Sequence, residues 1–381
     1  MADVHSSSDG PHVTCPRCRR GLPRGVRECR FCGADLDLRP QAQPRRSRRA
    51  RLLDALSGYA FIGPNAIGFL IFTLLPVLAA LVLSFTEWDA VRPLRTWQEA
   101  RDLWVGGEHY RDILGFQRDA TGAIRPNDER FWHYCYNTVY LMLGIPVGMI
   151  LSLAAALLMN QKLRGIVAFR TAYFLPSICS AVAVAMLFQW LYNPKFGLLS
   201  DVLRALHLVT PGPGGLLNGP LEALNLKQPG EPLKWLTHTS LAKPSLILMG
   251  LWAAIGGQNC ILYLAGLQGI PEELYEAADM DGANGWHKLR HITWPMLAPT
   301  TFFILVMSII HGFQSGFVGI HMLTRGGPAG ATTNLLYYIY NHAFEWFKMG
   351  RAAALSMILF VVVFGLTLVN WRFGRKGVEY L

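Results

Sequence analysis

Four cysteines near the start of the chain have the spacing of a metal site. In CPRCRRGLPRGVRECRFCG, Cys15 and Cys18 form one C-x-x-C pair and Cys29 and Cys32 another, with ten residues between the pairs. A C-x-x-C turn presents two thiolates to one ion, and two such knuckles complete the tetrahedral sulfur set that Zn²⁺ prefers. Four thiolates leave no open position for water, so the zinc would be structural. A module this small has no core of its own and would take its folding free energy from the metal. A disulfide pair or two redox C-x-x-C sites would use the same residues. A reducing cytoplasm, to which the topology below assigns this end, disfavours disulfides.

A second set of candidates is polar and sits inside apolar runs: Gln189, Gln258, Asn259, Tyr263, His311 and Gln314. A polar side chain within a membrane span is costly unless it faces a partner or a water-filled path, so these are candidates for a solute pathway. The same groups also hydrogen-bond helix to helix. No Lys or Arg lies deep in an apolar run, which favours a neutral sugar or polyol over a phosphate ester as cargo. Cys135, Cys179 and Cys260 are scattered in apolar context and read as small core residues. No G-x-x-x-x-G-K-[ST] phosphate loop occurs, and no nucleophile–base pair or carboxylate dyad stands in an apolar setting. The chain reads as non-enzymatic, with no loop of this kind to bind a nucleotide.

These groups require a membrane scaffold. The chain is 52% hydrophobic and only 16% charged, with 11 Trp and 20 Phe in 381 residues, too few charges to cover a soluble globule of this size. Its net charge of +10 is concentrated in the first 51 positions and beside apolar runs, which suits membrane topology rather than nucleic acid. Runs long enough to cross a hydrocarbon core of roughly 30 Å fall at 58–84, 133–159, 168–192, 243–268, 296–322 and 352–372. They contain small residues and prolines such as Pro64, Pro76 and Pro146, which packed membrane helices tolerate. The expected fold is therefore an all-α integral membrane bundle of six helices. The arm would divide into a cysteine module at 1–38 and a basic tether at 39–54, with the membrane domain at 55–381.

Basic residues fix the expected orientation. Arg45, Arg46, Arg48, Arg49 and Arg51 precede the first run; Lys162, Arg164 and Arg170 lie between the second and third; Lys288 and Arg290 between the fourth and fifth; Arg372, Arg375 and Lys376 follow the last. With six spans all four groups share one side, so both termini should be cytoplasmic. The loops at 85–132, 193–242 and 323–351 should face outward.

Between the fourth and fifth runs the sequence turns polar: GIPEELYEAADMDGANGWHKLRHITWP, residues 269–295. Pro271 suits the start of a helix, Glu272 and Glu273 favour its positive end, and Gly282 can close it in the left-handed conformation. Asp279 and Asp281 read as residues of the helix end. A second short helix, Trp286 to His291, should follow before Pro295 opens the next span. The pattern describes a helix–glycine–helix elbow standing out of the membrane.

The series Glu276-Ala277-Ala278, Gly282, Ile292 and Pro295 resembles the EAA loop, here 270–295, of permease subunits from bacterial binding-protein-dependent ABC importers. In detail it is similar to the carbohydrate-uptake branch, which includes maltose, other oligosaccharide and glycerol-phosphate permeases. SFTEWD at 84–89, LRGIVAFRTAYFLP at 163–176, WLYNPKFGLL at 190–199 and GGPAGATTNLLYYIY at 326–340 extend the resemblance over about residues 55 to 378. Trp294 stands where Leu is usual, and the cysteine arm, which itself resembles a short zinc ribbon, is not an ordinary part of such permeases.

The resemblance implies a permease in the bacterial inner membrane that forms the path for a solute delivered by an extracytoplasmic binding protein. It implies two ATP-binding subunits and a second permease or a second copy of this chain as partners. Glu276, Ala277, Ala278, Asp281 and Gly282 would then be the residues that couple to the ATPase. The alternatives are the same architecture carrying glycerol phosphate or another solute, or a membrane-anchored scaffold for the zinc arm.

Overall fold

The computed structural model describes residues 13–15, 18, 20–22, 29, 31–33, 48–89, 91, 97–120, 122–161, 164–210, 215–228, 231–314 and 316–378. The turn at Pro23 to Gly25, Arg45, Arg46, Lys162 and the stretch 211–214 lie outside them, as does most of the tether. Chain contacts divide the molecule into Met1–Pro76 and Val77–Leu381, a division that falls inside the first apolar helix.

In the first unit, strands β1 (Val13–Thr14) and β2 (Gly21–Leu22) pair antiparallel, Val13 opposite Leu22 and Thr14 opposite Gly21. Helix α1 (Arg48–Phe69) carries Pro64 in its interior and passes through a π-helical turn, Leu70–Leu74, into α2 (Leu75–Leu83). Apolar membrane helices accommodate such interruptions where a soluble helix would break.

The second unit begins at Val77 within α2 and continues with short elements: α3 (Trp97–Asp102), α4 (Glu108–Leu114) and a hairpin of β3 (Phe116–Arg118) with β4 (Ile124–Pro126). Helices α5 (Glu129–Met142) and α6 (Gly144–Met159) make one long rod with a joint at Leu143. Then come α7 (Ile166–Ile178), α8 (Ala181–Leu191), α9 (Leu198–Ala205) and α10 (Asn218–Ala223). Helices α11 (Thr239–Ile255) and α12 (Gln258–Gln268) form a second jointed rod. The elbow holds α13 (Glu272–Met280), α14 (Gly285–Lys288) and α15 (Trp294–Met296). Helices α16 (Ala298–Gln314), α17 (Phe317–Gly319), α18 (Leu335–Tyr340) and α19 (Met349–Val378) complete the chain.

Among the described residues, five helical stretches are long and apolar enough to cross a membrane: Leu56–Leu83, Glu129–Met159, Thr239–Gln268, Ala298–Thr324 and Met349–Arg372. The run expected at 168–192 is instead two shorter apolar helices, α7 and α8, separated at Cys179 and Ser180. Pro176 in the last turn of α7 has no N–H for the helical ladder, and Ser180 is extended (φ −58°, ψ 137°).

The main core lies between α6, α12 and α16. Ala156, Cys260, Tyr263, Leu297 and Ile304 meet there at 1% exposure or less. Elsewhere large apolar side chains face outward: Ile150 is 66% exposed and Val361 and Trp371 65%. A core facing in and an apolar surface facing out is the pattern of a helix bundle solvated by lipid.

Candidate functional sites

The cysteine tetrad forms on the small hairpin and a single knuckle. Cys15 and Cys29 are buried, Leu22 packs beside them, and the four sulfurs all lie within 4.8 Å of one another. Cys15 Sγ is 3.6 Å from Cys32 Sγ, and Cys18 Sγ is 3.6 Å from Cys29 Sγ. Backbone N–H groups of Cys32 and Gly33 donate to the Cys29 carbonyl at 3.3 and 2.8 Å, closing the second knuckle. The backbone of Phe31 is the main influence that holds the Cys29 thiol below its ordinary range; burial opposes it, and Cys32 and Cys18 reinforce it. A tetrahedron of sulfurs around zinc at about 2.3 Å has edges of about 3.8 Å, whereas a disulfide requires about 2.05 Å. The donor set and its spacing fit a metal ion.

The polar stretch folds into the expected elbow. Pro271 takes the N-cap position of α13, and Glu272 and Glu273 occupy its first turn. At the other end Asp281 is the C-cap; Gly282 N–H donates to Asp279 O at 3.0 Å and Ala283 N–H to Ala278 O at 2.9 Å. Gly282 has φ +74°, the left-handed conformation that glycine adopts without steric cost. Asn284 then caps α14, its Oδ1 accepting from His287 N–H at 2.9 Å. Lys288 reaches back to Asp279, and Tyr275 Oη lies 2.9 Å from Thr293 Oγ1, so the two arms are tied together. From α14 the backbone runs through a π-helical turn, Leu289–Thr293, into α15 and α16. The expected second helix is thus shorter in α form and continuous with the next span. Glu276, Ala277 and Asp281 are exposed, and Met280 and Trp286 project beside them at 89% and 65% exposure. The elbow thus exposes acidic and apolar side chains together on a turn whose two arms are tied to each other.

A cavity of about 720 Å³ opens inside the bundle. Four helical rods break where they border it: at Leu143, at Cys179–Ser180, at Gly256–Gly257 and at Gly316, which is left-handed. Helices α8 and α12 both start there without a side-chain cap. Irregular backbone at membrane depth is tolerated where it lines a cavity. Gly256 is required by packing, since a Cβ on it would stand 2.1 Å from the Tyr173 carbonyl oxygen. Ser152 Oγ donates to Ala254 O at 3.0 Å and ties α6 to α11 beside this joint.

The lining contains no Asp, Glu, Lys or Arg among the described residues. Of the six polar residues picked from sequence, Gln258, Asn259, His311 and Gln314 line the cavity. Asn259 Nδ2 donates to Ser308 Oγ at 3.3 Å, bridging α12 and α16. Tyr263 does not line it; at 1% exposure it belongs to the core. Gln189 is exposed and outside the lining. Sequence reasoning missed Thr138, Ser177, Ser308, Phe317 and Asn334, and Cys179, taken for core, is exposed at the cavity wall.

Asn334 arrives there from an ordered loop. Thr324 Oγ1 and Thr332 Oγ1 lie 2.7 Å apart, and Thr332 donates to Gly327 O at 2.8 Å. Asn137, fully buried in α5, donates through Nδ2 to Gly330 O at 3.0 Å and Thr333 O at 2.9 Å. The loop is therefore locked onto α5, and α18 starts at a fixed point over the cavity.

A further polar cluster lies at the ends of two candidate spans, where α5 and α19 start. Asp128 caps α5 by accepting from Phe131 N–H at 3.0 Å, and its other oxygen accepts from Tyr338 Oη at 2.9 Å and Arg351 Nη2 at 2.8 Å. His342 is 4% exposed, sits edge-on to Tyr338 and Trp346 with ring centroids 4.6 Å from each, and has no hydrogen-bond partner for either ring nitrogen.

Residues 144–372 match the family model described as binding-protein-dependent transport system inner membrane component. The chain is 31% identical to a probable ABC transporter permease protein, YesP, of Bacillus subtilis, over 86% of this chain and 93% of that one. It is 32% identical to the sn-glycerol-3-phosphate transport system permease protein UgpA of Agrobacterium fabrum, over 79% of this chain and 92% of that one. In fold it is similar to a chain of the bacterial ABC transporter involved in import of the acidic polysaccharide alginate, with a TM-score of 0.65 at 24% identity, over 86% of this chain and 99% of that one. The similarity holds for the same transporter in complex with an alginate pentasaccharide-bound periplasmic protein.

Proposed function

The chain belongs to the family of binding-protein-dependent transport system inner membrane components, and on that premise we propose that it forms the translocation path for a neutral sugar or polyol in an ATP-driven importer. The observation that carries the cargo class is the cavity at the four helix breaks, mainly apolar with a few polar side chains and without a charged residue among those that line it. Moving an anion through such a site would strand its charge in a medium of low dielectric, whereas hydroxyl groups find carboxamides, hydroxyls and an imidazole there. The names of the glycerol-phosphate relative and of the alginate transporter describe charged cargo, so the lining is where this chain would differ from them.

The elbow supplies the coupling surface in this reading. Glu276, Ala277, Ala278, Asp281 and Gly282 would meet an ATP-binding subunit, and the direct continuation of α14 into α15 and α16 would pass its movement to a helix that borders the cavity. A second permease, or a second copy of this chain, would complete the path. A solute-binding protein would dock on the outer side, with both termini of this chain in the cytoplasm, as the basic residues flanking the apolar runs suggest. ATP would be hydrolysed by the partner, and this chain would carry no catalysis. The cysteine tetrad would hold one structural zinc, and its arm would adapt regulation or assembly.

Reconstitution of the chain with its ATP-binding and solute-binding partners in lipid vesicles tests the reading. The probes are neutral mono-, di- and trisaccharides and glycerol, with glycerol 3-phosphate and galacturonate as anions. ATP-dependent uptake of a neutral probe supports it. Uptake of the anions alone would replace the cargo, and no ATP-dependent uptake of any probe would leave the scaffold alternative.

A further inference from the structure

Asn334 is 2% exposed, yet it lines the cavity. Its Oδ1 is already engaged, accepting from Tyr337 N–H at 2.8 Å as the N-cap of α18. That bond fixes the carboxamide, because only the oxygen can accept and the nitrogen must take the other position. Nδ2 lies 3.8 Å from where a Cβ on Gly316, another lining residue, would stand. It has two N–H donors and no hydrogen-bond partner among the described residues.

Although the residue as a whole is buried, Nδ2 is not among the fully enclosed unpaired polar atoms of the described residues, so it is reached from the cavity, where water or a solute oxygen can pair with it. The backbone of the loop does not need it: Asn137, Thr332 and Thr333 hold that segment, and the cap needs only the oxygen. Gln258, Asn259, Ser308, His311 and Gln314 line the same cavity, as does the aromatic Phe317. The Phe317 ring is itself held by a stack on His321, centroids 5.5 Å apart at 10°. An aromatic plane beside separate donors and acceptors suits a molecule with apolar C–H faces and a rim of hydroxyls.

We propose that Asn334 Nδ2 donates a hydrogen bond to an oxygen of the transported solute and is a specificity-determining residue for an uncharged sugar or polyol. The proposal rests on the reading of the cavity as the solute path. It gives Asn334 two separable duties: Oδ1 starts α18, and Nδ2 meets the cargo.

Two substitutions separate these duties in the reconstituted importer. Asn334→Asp and Asn334→Ser both retain an N-cap acceptor. The first replaces the donors with an acceptor, and the second is too short to reach the solute. Uptake is measured with the same panel of probes, together with thermal unfolding of the purified complex. The expected result is a KM about tenfold higher in both variants for the neutral probe that the wild type carries, the loss of one hydrogen bond, with the maximal rate and unfolding temperature retained. Unchanged KM in both variants would overturn the role of Asn334 and leave the path intact. A wild type that carries only the anionic probes would overturn the cargo class, and one that carries no probe would remove the path reading and this proposal with it.

Discussion

Asp128 and Arg351 are 223 positions apart in the chain and 2.8 Å apart in the structure. The contact joins the start of α5 to the start of α19, and Tyr338 from α18 closes it by donating to the same carboxylate oxygen. Three elements that meet outside the apolar runs are held by one carboxylate that is 7% exposed. Burial alone would push the Asp128 carboxyl up. The Phe131 N–H, the Arg351 guanidinium and the Tyr338 hydroxyl together outweigh it and hold the carboxyl below its usual range.

Replacing Asp128 with Asn keeps an acceptor for Phe131 and removes the charge. Arg351, whose Nε is already buried without a partner, would then lose its counter-ion. We expect Asp128→Asn to destabilise the protein by about 2 kcal/mol, below the roughly 3–5 kcal/mol of breaking a fully buried pair because Arg351 is partly exposed. Arg351→Met should cost a similar amount, and the double variant less than the sum. Chemical unfolding of the four proteins in one detergent checks the cycle, and additive losses would mean that the pair is not a unit.

His342 gives the protein a second, separable pH dependence. Burial is the main cause that moves its imidazole down to about 4, with Arg351, Lys348 and Arg130 in the same direction and Asp128 opposing. A base with a lowered folded value binds its proton more readily when unfolded. Its stabilising effect is therefore complete above about pH 6.5 and is lost as pH falls toward about 4. Asp128, a carboxyl held low, loses its contribution only below the ordinary carboxylate range. The expected outcome is that the unfolding temperature of the wild type drops between pH 6.5 and 4.5. His342→Phe, which preserves the edge-on contacts with Tyr338 and Trp346, should lose much less over the same interval.

The tetrad predicts one zinc per full-length chain purified under reducing conditions, and loss of that zinc in Cys29→Ser. Elemental analysis checks both. Among the described residues of the arm, Leu22 is the only buried apolar partner of the sulfurs, so removing the metal with a chelator should open residues 13–33 to proteolysis. Residues 77–381 should keep their unfolding temperature. A metal-free wild-type arm that resisted protease as well as the untreated one would contradict the structural role.

The features legible in the sequence are those written in local spacing. The elbow needs a proline, two acidic residues and a glycine at fixed intervals, and the tetrad needs two C-x-x-C pairs, so both appear in the chain as patterns. The cavity is different. In a uniformly apolar helix nothing distinguishes the face toward lipid, the face toward a neighbour and the face toward water, because periodicity is informative only where polarity alternates. Gln258, Asn259, His311 and Gln314 were visible because they are polar in apolar runs. Tyr263 met the same criterion and is a core residue. Asn334 failed it, since it stands outside the runs in a loop whose fold depends on Asn137 and Thr332. The joint at Cys179–Ser180 was concealed by the continuous apolar character on both sides of it.

Gly282 offers the sharpest test of coupling, because its two possible reasons for being glycine can be told apart. A Cβ at this position would meet nothing within 4 Å, so space does not require glycine. Its φ of +74° does. A β-branched residue is strained there by roughly 1–2 kcal/mol, while asparagine tolerates the left-handed region. Gly282→Val should therefore twist the turn, weaken the bonds to Asp279 and Ala278, and shift α13 against α14. The variant should reach the membrane in near-normal amounts, since the elbow lies outside every candidate span. In the assembled importer, solute uptake should fall steeply, and stimulation of the partner's ATPase by the solute-binding protein should be lost. Gly282→Asn should retain most of both. Normal uptake by an assembled Gly282→Val complex would show that transport does not depend on the shape of the elbow, and equal failure of the valine and asparagine variants would place the requirement in the side-chain surface rather than in the backbone.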